Sequence, residues 1–401
     1  MFKREMYLER IRPFYNNEQI KILSGVRRCG KTEILKMIMA ELRKNCRESH
    51  IVYLSLELLE NEDYRDKKNL YAYLESQIKG EGRYYIFIDE VQFCEGWSKV
   101  VNSLTTKYPK VSIFVTGSNS SLLNDDKEGE LGERTILFRI MPFSFSEYVL
   151  FMKELGRYQS DESSFSEYLK WGGLPLVFLE KEEQNKQTML ESIYDSIVLR
   201  DIVLREKIKN SIYLAKVIDY ALSSSSLAIS GRNIQERVAK DGMDISLPVV
   251  LDYLRAIKES YIASLSPRYD VIGLRELEVK NKIYSVDPAF VQYKKSLVSD
   301  LYRSLYETLV YNDLIAKGYQ VKTGVNEGRE IDFVVLKGGS IVAYVQVAYE
   351  INESNKEREL GNLESIPDFY PKYVVSKDKV VLDRKGIKHL SIIDFLQLKG
   401  F

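Results

Sequence analysis

Residues Gly25-Val26-Arg27-Arg28-Cys29-Gly30-Lys31-Thr32 read Gly-x-x-x-x-Gly-Lys-Thr, a spacing that can wrap phosphate oxygens. The glycines let the backbone turn tightly, so that its N–H groups converge. A helix starting at the end of the turn aims further N–H groups, and the positive end of its dipole, at the same point. In such a loop Lys31 reaches the β- and γ-phosphates and the Thr32 hydroxyl ligates Mg2+. The pattern carries this meaning only between a strand and a helix. The run Gln19-Ile20-Lys21-Ile22-Leu23-Ser24 before it is short and apolar-rich, and Ile34, Leu35, Ile38 and Leu42 after it recur at helical spacing. A bare glycine turn at a strand–helix junction is the plain alternative.

A second run, Tyr84-Tyr85-Ile86-Phe87-Ile88-Asp89-Glu90, is apolar until it ends in two carboxylates. A buried parallel strand whose C-terminal end carries a site has this appearance. Asp89 is expected to hold Mg2+ through its water shell, and Glu90 to polarise an attacking water. That adjacent carboxylate favours ATP hydrolysis over a purely switching role. A third run, Ser112–Thr116, leads into Gly117-Ser118-Asn119-Ser120, where Thr116, Ser118 or Asn119 could sense the γ-phosphate. A Gly-Ser turn accounts for the same letters, and both readings stay open at this point. The nucleotide-binding set is therefore Gly25, Arg27, Arg28, Cys29, Gly30, Lys31, Thr32, Glu33 and Ser118. The metal set is Thr32 and Asp89, and Lys31 and Glu90 are catalytic candidates. ATP and Mg2+ are the cofactors implied.

These side chains need a sheet whose strands deliver them to one edge. Residues 17–145 alternate between strand-like and helix-like runs, with strands expected over 18–24, 51–56, 84–89, 112–116 and 135–140. The expected fold class is α/β, a P-loop parallel sheet. Residues 146–222 read as mostly helical, broken sharply at Trp171-Gly172-Gly173-Leu174-Pro175, and could form a lid over a nucleotide. In its last helix Ile197, Asp201 and Leu204 are expected on neighbouring turns, with Arg200 and Arg205 free to project. Residues 223–295 resemble a winged helix-turn-helix. One helix starts at Ser230-Gly231, and a second is capped at Ser246 with Pro248 in its first turn. In that second helix Val250, Leu251, Leu254 and Ile257 form an apolar stripe. Asp252, Arg255, Lys258 and Glu259 are its expected exposed face, and their mixed charge leaves DNA reading and a protein-facing role both open. Wing strands are expected over 261–265 and 282–286. Residues 296–401 form a last α/β unit, with a helix over 298–317.

Composition removes several classes of function. The 401 residues carry 58 Lys+Arg and 58 Asp+Glu, so no global charge announces a nucleic-acid binder. Three cysteines (Cys29, Cys46, Cys94) make no disulfide framework and fit a reduced, cytoplasmic setting. Two histidines leave little room for zinc or Ser-His chemistry. No signal peptide opens the chain and no apolar run reaches membrane-spanning length. The 28 tyrosines read as half-buried packing residues.

Taken with Ile88-Asp89-Glu90-Val91-Gln92, Thr116-Gly117-Ser118, Met141-Pro142-Phe143-Ser144-Phe145-Ser146-Glu147-Tyr148, Gly172-Gly173-Leu174-Pro175 and Glu330-Ile331-Asp332-Phe333, the chain resembles a family of prokaryotic AAA-type ATP-binding proteins over nearly its whole length. The resemblance implies a division into an AAA-like core (1–145), a helical lid or linker (146–222), a winged helix-turn-helix (223–295) and a C-terminal domain similar to PD-(D/E)xK nucleases (296–401). It also implies an arginine before the fifth core strand, here Arg134, as a candidate arginine finger acting in cis or across a subunit interface. Homo-oligomers, as dimers or larger rings, follow if it acts in trans. A nuclease site of that type needs an acidic residue on one strand and acidic-x-Lys on the next. Asp332 fits the first position, and Glu307 could assist. The second strand reads Gln346-Val347-Ala348, which lacks both the carboxylate and the lysine, so a degenerate centre is expected unless a lysine has moved or Glu350 swings in. The reading reached is an Mg2+-dependent ATPase whose nucleotide state moves the winged helix and the C-terminal domain. Its target (DNA, RNA or protein) stays open. The alternatives are a nucleotide-gated DNA- or protein-binding module with negligible turnover, and an ATP-regulated metal-dependent nuclease.

Overall fold

The structure is a computed structural model that describes residues 2–120, 134–205, 208, 210–294, 301–379 and 383–401. The chain divides into two compact units, Met1–Ile140 and Met141–Phe401. The first is built on β1 (Ile20–Ser24), β2 (Ile51–Ser55), β3 (Tyr84–Asp89), β4 (Val111–Gly117) and β5 (Thr135–Arg139). All five run parallel in the order β2-β3-β4-β1-β5. The three central strands are buried along their whole length, which is why they read as near-continuous apolar runs. Because β1 lies beside β4, and β4 beside β3, the ends of the three motif-bearing strands meet at one edge. Ser24 pairs with Gly117 and Ile88 with Val115. On one face Ile20, Ile22, Ile86, Ile88, Ile113 and Val115 pack with Leu70, Leu74, Trp97 and Val101 from flanking helices.

The second unit starts five-residues-short of the expected break because β5 ends at Arg139 and the next helix, Phe145–Glu154, is closed by its own capping box. Ser144 Oγ accepts from Glu147 N at 3.3 Å and Ser144 N donates to Glu147 Oε2 at 3.1 Å, which explains the Ser-x-x-Glu in that motif. Helices follow to residue 223. Ile197–Leu204 is wound as a π-helix rather than an α-helix. The expected shared face is therefore not kept: Ile197 and Asp201 are buried, but Leu204 is 68% exposed.

The helices Gly231–Lys240 and Leu247–Glu259 form where expected. Val250, Leu254 and Ile257 are buried, whereas Leu251 is exposed and lies over Gly231, whose hydrogen a methyl group could not replace without meeting Leu251 Cδ2 at 2.9 Å. Asp252, Arg255 and Lys258 are exposed and Glu259 is half-buried. The wing strands are longer than expected, β6 (Ala263–Asp270) and β7 (Arg275–Ser285), and they do not stand alone. With β8 (Gln320–Asn326), β9 (Arg329–Lys337), β10 (Ser340–Val347), β11 (Lys372–Ser376) and β12 (Ile387–Ser391) they form one seven-stranded mixed sheet, ordered β12-β11-β10-β9-β8-β6-β7. The join is the parallel pairing of Arg268, Tyr269 and Asp270 with Thr323, Gly324 and Val325. The two strands expected as a wing thus continue the C-terminal sheet instead of closing a separate module at residue 295, because β6 offers β8 the partner that an open edge lacks. Of the helix expected over 298–317, Leu301–Ala316 is described.

The break at Gly172-Gly173 has a packing cause. A Cβ at Gly173 would stand 2.1 Å from Phe143 O, and one at Gly172 would stand 1.7 Å from Asp287 Oδ1. Asp287 is fully buried and accepts from Gly173 N and Ala289 N, both at 2.9 Å. Burial pushes its pKa up to about 6, against the pull of those two N–H donors. A carboxyl whose folded pKa is raised stabilises the fold most when protonated, and that part fades as pH rises through about 6. Replacing Asp287 by Ala strands two buried N–H groups, at a cost of about 2–4 kcal/mol. In urea melts at several pH values the gap between wild type and Asp287→Ala is expected to be widest near about pH 4 and to narrow towards about pH 7.

Candidate nucleotide site

The loop from Gly25 to Thr32 is shaped by three backbone demands. Gly25 lies so close to the end of β5 that a Cβ would stand 2.1 Å from Ile140 O. Arg28 and Gly30 take left-handed conformations, with φ of 68° and 101°. Gly30 is also the N-cap of the helix Lys31–Leu42 and caps no N–H with a side chain, which leaves the helix's first N–H groups available to an anion. Lys31 is buried, and its ammonium donates to Gly25 O at 3.0 Å and Val26 O at 3.3 Å, across the loop it follows. It stands 3.9 Å from Glu90 Oε1.

Asp89 forms the other side. Its Oδ2 accepts from Thr32 Oγ1 at 2.8 Å and from Tyr53 OH at 3.2 Å, and its Oδ1 accepts from Thr116 Oγ1. Burial pushes its pKa above the usual carboxylate range, and the hydroxyl bonds from Thr116 and Thr32 oppose that rise. Glu90 sits at φ 57°, a left-handed position for a residue with a Cβ. Its N–H donates to Thr116 Oγ1 at 2.9 Å. The Gln92 amide donates both to Glu90 Oε2 and, at 3.2 Å, to Ser118 Oγ. Lys31, Thr32, Asp89, Glu90, Thr116 and Ser118 are therefore one connected cluster.

The remaining expected residues fall around it. Arg27 lies 3.7 Å from Glu57, and Arg28 is exposed. Glu33 pairs with Lys36 at 2.7 Å on the helix surface. Cys29 points its thiol at Ile140 O at 3.4 Å, and burial pushes its pKa up, so it belongs to the loop's packing and not to a reactive centre. Ser24 Oγ donates to Asn119 O at 3.3 Å, tying the loop's base to the end of β4. Arg134 lies apart from the cluster: its guanidinium donates to Asn102 Oδ1 at 2.9 Å and Thr106 Oγ1 at 3.1 Å. Three contributors were not among the expected site residues. Arg4, almost fully buried, donates to Cys29 O at 3.0 Å and braces the loop from the N-terminal segment. Tyr53 acquires meaning only through the β2–β3 register, which sets Ser55 beside Asp89. Gln92 has a visible place in the Asp89-Glu90-Val91-Gln92 run, but its two acceptors become neighbours only in the fold.

The donor set suits Mg2+. Thr32 and Asp89 are hard oxygen donors with no nitrogen or sulfur among them. Among the described residues no group of three His, Cys, Asp or Glu is placed to hold a metal ion.

The second unit holds another polar centre. Lys282, from β7, is buried with its ammonium 2.8 Å from Glu307 Oε1, 3.2 Å from Asp332 Oδ1 and 2.7 Å from Glu330 Oε1. Burial alone would lower its pKa, but the three carboxylates outweigh that and raise it. Glu307 also accepts from Tyr284 OH at 2.8 Å. Burial and the charge of Asp332 push Glu307 up to about 7. Gln346 accepts from Asp332 N at 3.2 Å and donates to Glu359 Oε2 at 3.0 Å, and Val347 N donates to Asp332 Oδ2 at 2.8 Å. A depression of about 680 Å³ opens onto Asp332 and Gln346, with Arg303, Arg329 and Arg358 around it. Ala348 supplies no charge, as expected, but a lysine from a different strand does. Glu350 does not enter the centre: it pairs with Lys377 at 2.7 Å.

A parallel sheet ordered β2-β3-β4-β1-β5, with a phosphate-type loop after β1 and a carboxylate pair after β3, is a P-loop α/β fold. Here it is followed by a helical region and a second sheet. Residues 17–149 match the family described as AAA domain, and residues 162–300 match a domain of unknown function, DUF8612. The chain is 30% identical over 399 residues to an uncharacterized protein of Haemophilus influenzae, covering 99% of this chain and 98% of that one. It belongs to the same family as that protein. A second relative, the uncharacterized protein MJ1544 of Methanocaldococcus jannaschii, is 26% identical, over 85% of this chain and 77% of its own. Among solved structures, the ORC1 protein of Aeropyrum pernix, in complex with DNA, aligns with 14% identity and a TM-score of 0.32, over 73% of this chain and 92% of its own. That score is too low to bear on function. Among the described residues no helix is long and apolar enough to cross a membrane.

Removing Lys282 leaves Glu307 and Asp332 buried without a counter-charge. Lys282→Met is expected to destabilise the second unit by about 3–5 kcal/mol, read as a lower urea midpoint. Adding Glu307→Gln to that variant should recover part of the loss.

Proposed function

We propose that the protein is an Mg2+-dependent ATPase. The observation that carries this reading is the closure of the loop on the acidic strand end: Thr32 Oγ1 lies 2.8 Å from Asp89 Oδ2 while Lys31 Nζ lies 3.9 Å from Glu90 Oε1. In this reading the loop N–H groups and Lys31 bind the phosphates of ATP. Thr32 and Asp89 would hold Mg2+, which when bound neutralises charge on the β- and γ-phosphates. Glu90 orients a water and takes its proton. Gln92, Ser118 and Thr116 keep that carboxylate and the metal-side carboxylate in fixed relation. Arg134, exposed and held to a neighbouring helix, serves in this reading as a finger towards the nucleotide of a second copy in a homo-oligomer.

ATP turnover and ADP binding test the core of the proposal. Lys31→Ala is expected to lose nucleotide binding. Glu90→Gln is expected to keep it while turnover falls by about 10²-fold or more. Wild-type turnover in Glu90→Gln would end the catalytic assignment.

We further propose that nucleotide state is coupled to residues 141–401, and that the winged-helix surface contacts DNA or RNA. Exposed Arg232, Arg237 and Lys240 on the helix Gly231–Lys240 support this. Stimulation of ATP turnover by DNA or RNA that weakens at higher salt is the expected result. An unchanged rate with either polymer would leave a protein target as the reading.

One observation favours a second activity: Lys282 places an ammonium between Glu307 and Asp332, supplying from β7 the charge that Ala348 lacks. A metal-dependent nuclease at this centre would cleave DNA or RNA with Mg2+ or Mn2+ and lose that cleavage in Asp332→Ala. Intact substrate under every nucleotide condition ends this reading.

A further inference from the structure

Asp89 Oδ2 is the oxygen that faces Thr32, and it accepts two hydroxyls, not one. The second comes from Tyr53, at 3.2 Å. Tyr53 lies on β2 beside Phe87, so its ring runs along the strand towards the end of β3, where Asp89 stands. Its neighbours Val52 and Leu54 are buried on the opposite face, but Tyr53 is 37% exposed. Packing alone therefore does not dictate where the phenol goes. It reaches Asp89 by a hydrogen bond, although water was available to it.

That bond has two consequences. It uses an acceptor site on Oδ2, which restricts the carboxylate's rotation together with Thr32 and Thr116. It also leaves the phenol oxygen as an acceptor: the Ser55 hydroxyl bonds to it, and the acceptor capacity that remains lies on the half-exposed side of the metal set. Water bound to a divalent cation is a strong hydrogen-bond donor, and a site that holds the ion through water needs acceptors for those protons.

We propose that Tyr53 is a positioning residue for the divalent ion, fixing the Asp89 carboxylate and accepting from the ion's water shell, so that it sets how much Mg2+ the nucleotide site requires. The proposal rests on reading the first unit as a Mg2+–nucleotide site. It assigns Tyr53 no contact with the phosphates and no part in proton transfer.

The test is binding of a fluorescent ADP analogue to the full chain, first in EDTA and then across an Mg2+ titration. Tyr53→Phe keeps the ring and removes only the hydroxyl. The expected result is unchanged affinity in EDTA and an Mg2+ half-saturation raised about five-fold, the size of one partly exposed hydrogen bond to a charged group. Superimposable Mg2+ curves for wild type and Tyr53→Phe overturn the proposal. So does an equal loss of affinity with and without Mg2+, which would mark Tyr53 as a packing residue. Lys31→Ala in the same assay separates the two levels. If it binds the analogue like wild type, the nucleotide site itself fails. If it loses binding while Tyr53→Phe matches wild type, only the role of Tyr53 falls.

Discussion

A carboxylate withdrawn from water must be given hydrogen-bond donors, and Asp89 draws its donors from three different elements. Thr32 comes from the helix after β1, Thr116 from β4 and Tyr53 from β2. A single buried charge therefore ties the phosphate-type loop to its two neighbouring strands. Thr116 extends the tie by also accepting from the Glu90 N–H, which helps hold Glu90 in its left-handed backbone. Such positions persist only where the surroundings over-determine them, and here the surroundings are the site itself.

The second unit uses the same rule with the sign reversed. Lys282 is the buried charge and Glu307, Glu330 and Asp332 are its partners. Lys282 belongs to β7, Glu307 to the helix Leu301–Ala316 and Asp332 to β9, in the central part of the sheet. The centre thus links β7 to the helix Leu301–Ala316 and to β9. Asp287 does likewise for the helical region, receiving Gly173 N where a side chain at Gly172 would not fit. In both units the polar interior links elements distant in sequence, while the apolar clusters fill the space between them.

Much of this was legible before folding was considered. The strands of the first unit, the helix after the loop and the Gly-Gly break all carry local signals: apolar runs, a 3.6-residue period, adjacent glycines. Lys31, Thr32, Asp89 and Glu90 were identifiable because their chemistry is tied to short spacings next to strand ends. Other features were not legible. The π-winding over 197–204 left Leu204 outside the core, and no periodicity announces it. Leu251 belonged to an apolar stripe by spacing but turned out to cover Gly231 at the surface. The wing strands had the right composition, yet nothing local said that β6 would pair with β8.

The order of residues along the chain specified the loop, the acidic strand end and the type of each element, since these depend on groups a few bonds apart. The partners of Asp89, the arrival of Lys282 among carboxylates from two other elements and the bracing of the loop by Arg4 depended instead on strand order and register. Those are settled by which apolar faces bury together across the whole unit, a balance summed over many distant residues and written in no short stretch of the chain.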